Sequence, residues 1–167
     1  TFDGYMGFEG GGYIQVEAGH VLDDLEILSG SYGVSLSSAF RWFGISGGAA
    51  QLNENIYAEG GNIQVESGEL DLNYRDVQCS GMEFGAAGIL TKAGAGSGDI
   101  TILPSGFFQA DPDATISTNV YFRVYGDFYG GGHTYKGVDV YTVAGSTRAF
   151  EGSNTFSWLG LGIETAG

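Results

Sequence analysis

Ser31-Tyr32-Gly33-Val34-Ser35-Leu36-Ser37-Ser38-Ala39-Phe40-Arg41-Trp42 keeps a period of two for twelve residues. Tyr32, Val34, Leu36, Phe40 and Trp42 fall on one parity, while Gly33, Ser35, Ser37, Ala39 and Arg41 fall on the other. Successive side chains of a strand point to opposite faces, so this stretch predicts a strand with one large apolar face and one small or polar face. The pattern recurs where Val120, Phe122 and Val124 oppose Tyr121, Arg123, Tyr125 and Asp127. It recurs again where Leu159, Leu161 and Ile163 oppose Trp158, Gly160, Gly162 and Glu164. No capped stripe of helical period runs for ten residues, so the chain reads as all-β.

Glycine punctuates the alternation at 10–12, 47–48, 60–61, 94–98 and 130–132, as turns with positive φ require. Strands are predicted at 2–17, 31–45, 49–66, 69–79, 82–93, 98–109, 116–129, 135–143 and 154–165, with a short one at 20–28. One internal echo stands out: Gly11-Gly12-Tyr13-Ile14-Gln15-Val16-Glu17-Ala18-Gly19 resembles Gly60-Gly61-Asn62-Ile63-Gln64-Val65-Glu66-Ser67-Gly68. A single pair makes no repeat array, and it reads as two strands meeting one constraint.

With 167 residues the chain forms one domain, 1–167, able to bury a core without staples. Cys79 is its only cysteine, which excludes an internal disulfide and a thiolate metal cluster. Twenty acids against six scattered bases give a net charge of −14, which argues against nucleic acid as a partner. Mean hydropathy is near zero, and no run approaches a membrane helix; strands that alternate lipid-facing and lumen-facing residues produce the same average.

The opening Thr1-Phe2-Asp3-Gly4-Tyr5-Met6-Gly7-Phe8-Glu9-Gly10-Gly11 resembles the first strand of small outer-membrane porin-like (opacity-type) barrels. Residues 116–132 (ISTNVYFRVYGDFYGGG) resemble their penultimate strand, and residues 154–164 (NTFSWLGLGIE) the closing one. The likeness covers about a third of the chain. It departs where family members carry a terminal aromatic residue and this chain reads Thr165-Ala166-Gly167. It implies a single closed antiparallel up-and-down β-barrel of about eight strands, with ten as the other count and a β-sandwich or jelly roll as the alternative. The apolar parity would then meet lipid, with Tyr5, Tyr13, Trp42, Tyr57, Tyr129, Tyr135 and Trp158 as an interfacial girdle. Glu17, Arg41, Glu66, Arg123, Asp127 and Glu164 would point into the lumen and pair there, because an unpaired buried ion is costly.

Catalytic constellations fail on inventory. The two histidines, His20 and His133, stand in unrelated contexts, so no Ser-His-Asp arrangement is marked out by spacing. Paired carboxylates such as Asp23-Asp24 and Asp111-x-Asp113 are candidates for acid/base work or Ca²⁺ binding, and for Asp111 and Asp113 the Asp-Pro-Asp string is turn chemistry first. No cofactor is expected, because the glycine clusters lack the residues of a phosphate or dinucleotide loop. The chain therefore reads as a non-enzymatic outer-membrane protein, structural or narrow-pore, with a lipid bilayer or detergent as its surroundings. Its alternatives are a self-assembling extracellular structural subunit (filament, sheath or surface layer), and a secreted β module binding carbohydrate or divalent cations through exposed Trp and Asp.

Overall fold

The computed structural model describes residues 2–37, 39–93, 98–143 and 146–164. The chain starts with β1 (Phe2–Phe8), β2 (Gly11–Val16), β3 (Val21–Ile27), β4 (Ser31–Leu36), β5 (Ala39–Ile45) and β6 (Ala49–Leu52). Three long strands follow and bend at corners: β7 (Ile56–Asp71), β8 (Val77–Thr91) and β9 (Asp99–Ala110). Short strands complete it: β10 (Thr115–Ile116), β11 (Tyr121–Val124), β12 (Asp127–Tyr129), β13 (Thr134–Tyr135), β14 (Gly137–Val143), β15 (Phe150–Glu151), β16 (Thr155–Phe156) and β17 (Leu159–Glu164).

Every pairing among these strands is parallel, and each joins a residue to one about a turn further along the chain. Leu25 pairs with Phe43, Phe43 with Ile63 and Ile63 with Met82, offsets of 18, 20 and 19 residues. This is a β-solenoid, in which the rest of each turn supplies the crossover that parallel strands need. The antiparallel barrel and the sandwich expected from alternation are both overturned, and with them the transmembrane porin reading built on the barrel. Parity sorts side chains into two faces but carries no information about strand direction or partner.

The solenoid has three faces, and β7 contributes to all of them. Its residues 56–58 pair with 77–79, its residues 62–65 with 42–45 and 81–84, and its residues 69–71 with 49–51 and 89–91. The first face stacks β1, β3, β5, β7, β8, β9, β12 and β15, one strand per turn. The second carries β2, β4, β6, the ends of β7 and β8, and β10. The third carries the starts of β7, β8 and β9, then β11, β14 and β17. β13 and β16 form a separate pair.

Inside, like stacks on like. Leu25, Phe43, Ile63, Met82, Phe108 and Phe128 form one fully buried column, and Val77, Ile100, Phe122 and Val138 a second. Tyr32, Ala50, Leu70, Leu90 and Ile116 form the third, beneath the second face. The apolar parity thus faces a protein core, and the polar parity faces out, the reverse of the barrel expectation. Trp42 departs from this because the parity shifts after Phe40: Phe43 and Ile45 turn inward, and the half-buried Trp42 ring lies over Gly44. Each fully buried Phe or Leu contributes about 1.5–3 kcal/mol of burial. Tyr135, expected in an interfacial girdle, is fully buried against Phe122, Phe128 and Phe156, its hydroxyl donating to Gly130 O at 2.7 Å.

One corner is a ladder of Gly10, Gly30, Gly48 and Gly68, all at positive φ. A Cβ on Gly30 would lie 1.8 Å from Gly10 O, and one on Gly48 would lie 2.1 Å from Gly30 O. The backbone of each turn here presses directly on the one before it, which only glycine permits.

Candidate binding face

The outward side of the third face gathers aromatic and charged residues over three consecutive turns. β11 and the residue after it present Tyr121, Arg123 and Tyr125; β14 presents Gly137, Asp139 and Tyr141; β17, with the residue before it, presents Trp158, Gly160 and Gly162. Register places Tyr121 beside Gly137, Arg123 beside Asp139, Asp139 beside Gly160 and Tyr141 beside Gly162. A hydrogen bond from Val138 N to Trp158 O at 3.1 Å sets Trp158 next to Gly137.

The missing side chains shape this surface. The Tyr121 ring passes 2.4 Å from where a Cβ on Gly137 would stand, and the Tyr141 ring 2.7 Å from the same point on Gly162. Both rings therefore lie down across the neighbouring turn, a cross-strand covering of glycine by aromatics. Tyr125 stacks on Tyr141 with centroids 4.9 Å apart and planes at 17°. Asp139 anchors the centre: Tyr121 Oη donates to its Oδ2 at 2.5 Å, and Trp158 Nε1 to its Oδ1 at 3.1 Å. Burial, followed by the bond to Asp139, pushes the Tyr121 hydroxyl up to about 12. Trp158 is 60 % exposed, and Arg123 is exposed beside Asp139.

The residues expected to share a lumen are dispersed. Glu17, Arg41, Glu66 and Arg123 are all exposed. Arg41, on the first face, pairs with Asp23 at 3.0 Å and Asp24 at 2.7 Å. Asp127 is half-buried and accepts from Ala149 N at 2.8 Å. The side chain of Glu164 lies outside the described residues. With no barrel lumen, the described groups share no common space. Asp111 closes a turn, accepting from Asp113 N at 2.9 Å through its side chain and from Ala114 N at 3.0 Å through its carbonyl. Among the described residues no three His, Cys, Asp or Glu side chains gather around a point that a metal could occupy. Cys79 is buried, and desolvation pushes its thiol up to about 12, which makes it a small core hydrophobe rather than a nucleophile.

Parity reading found Trp158, Arg123 and the outward tyrosines but not their association, and it passed over Asp139. The signal lies in three strings, Tyr-x-Arg-x-Tyr at 121–125, Gly-x-Asp-x-Tyr at 137–141 and Trp-x-Gly-x-Gly at 158–162, which align only once the turn length is known. No protein-family model matches the chain, and no curated protein or solved structure is found to be similar to it.

Proposed function

We propose that this chain is a non-enzymatic structural subunit of an extracellular assembly, a column that associates end to end along its own axis. One observation carries the reading. Leu159, Leu161 and Ile163 continue the inward register of Val138, Val140 and Thr142, yet they are 40, 76 and 71 % exposed, whereas Val138 and Val140 are buried. Among the described residues β17 is paired on one side alone, and an edge strand with a row of uncovered aliphatic side chains is a template for another strand. Beside it Val140, Phe150, Leu161 and Ile163 help to line an open cavity of about 400 Å³, room that an added turn would fill. A second copy seated on β17 extends the core column across the junction, a heterologous contact that repeats from subunit to subunit. The acidic charge of −14 keeps the sides of such columns apart and favours growth along the axis.

Sedimentation velocity over a range of concentrations tests this. The parent chain is expected to form species of increasing mass, and Leu161→Lys with Ile163→Lys is expected to hold it monomeric without lowering its melting temperature. A parent chain that stays monomeric throughout the range rejects the assembly reading.

A further inference from the structure

We propose that the third face over β11, β14 and β17 is a binding site for uncharged oligosaccharides, with Trp158 as the stacking platform, the Tyr125–Tyr141 pair beside it, and Asp139 and Arg123 as the polar groups that orient the sugar. This goes beyond the structural role and does not depend on it. The rings of Tyr121 and Tyr141 lie across glycines, Tyr141 also carries the stacked ring of Tyr125, and the indole of Trp158 beside them is the ring left open to solvent. An exposed indole offers apolar area to the C–H face of a pyranose while its N–H stays hydrogen-bonded, here to Asp139. Asp139 is already fixed by Tyr121 and Trp158 through one bond to each oxygen. A carboxylate has about four acceptor sites, so acceptors remain for sugar hydroxyls. Arg123, next to it in register, supplies up to five N–H donors. Rings and carboxylate are ordered before any ligand arrives, which removes much of the ordering cost of binding.

Charge selects the ligand class. A chain with 20 acids and 6 bases repels polyanions such as uronate polymers or nucleic acid, whereas an uncharged glycan meets no such barrier. The mixture of donors and acceptors around aromatic faces suits a polyhydroxylated ligand better than a purely apolar one.

The test follows the indole N–H resonances of Trp42 and Trp158 by NMR while the whole chain is titrated with maltohexaose, cellohexaose, xylohexaose or oligogalacturonate. At least one of the three neutral sugars is expected to move the Trp158 signal in a saturable way and leave Trp42 in place; oligogalacturonate is expected to leave both. Trp158→Ala and the isosteric Asp139→Asn, followed through the Tyr141 amide, are each expected to weaken binding at least tenfold, while Tyr13→Ala, an exposed tyrosine on the second face, leaves it unchanged. The proposal is overturned if no neutral sugar moves the Trp158 signal, or if only the acidic one does. It also fails if both variants bind as the parent does, which would leave the rings with a covering role alone.

Discussion

Phe43 stands between Leu25 and Ile63 in the first core column, with no surface left to solvent. Truncating it removes a ring that neighbours on two turns pack against, and the stacked backbone hinders collapse of the gap. Phe43→Ala is therefore expected to cost about 3–5 kcal/mol in urea denaturation. Arg123→Ala is the counterpart on the outside. A lumenal Arg123 paired in a barrel would be worth several kcal/mol, but the exposed guanidinium beside Asp139 is worth under about 1 kcal/mol, and the same denaturation experiment separates the two. What single residues reveal in sequence is parity: Val34, Phe122 and Val124 fall on the apolar side of the alternation and are buried. What they conceal is whether that side meets lipid or core, because a Val facing either gives the same alternation.

Strands were legible as strands, and several boundaries fell close, but their pairing was not. A hairpin announces itself locally, through a two-residue turn, whereas a solenoid turn is recognised only by comparing residues some twenty positions apart. Here that comparison is blurred, because one column contains Leu25, Phe43, Ile63 and Met82, and the next step, Met82 to Phe108, spans 26 residues. The echo between 11–19 and 60–68 misleads in the same way: Ile14 lies on the second face and Ile63 on the first. A better marker was the glycine corner, with Gly10, Gly30, Gly48 and Gly68 at intervals of 20, 18 and 20. At that corner Gly48→Ala places a Cβ against Gly30 O at φ +87°, and it is expected to cost about 1–3 kcal/mol and to lower the melting temperature measurably. The binding face suffered from the same blindness, since Tyr121, Asp139 and Trp158 become neighbours only through the register of β11, β14 and β17.

At the scale of the whole molecule, each turn contacts the turns before and after it, so stability is close to a sum of turns and their junctions. The eight stacked strands of the first face enclose seven spacings of about 4.8 Å, roughly 34 Å of column. Removing residues 43–62 joins Trp42 to Ile63, the residue that occupies the place of Phe43 one turn on. That variant is expected to remain folded by circular dichroism, with a modestly lower melting temperature. Removing only 43–52 breaks the register and is expected to abolish the cooperative transition. The uneven turns point the same way, for the 26-residue step and the 18-residue step both leave the strands on either side in contact. Such a molecule is graduated like a ruler. Its reach changes by one mark of about 4.8 Å whenever a turn is gained or lost, while the surface carried by Tyr141 and Trp158 stays as it was.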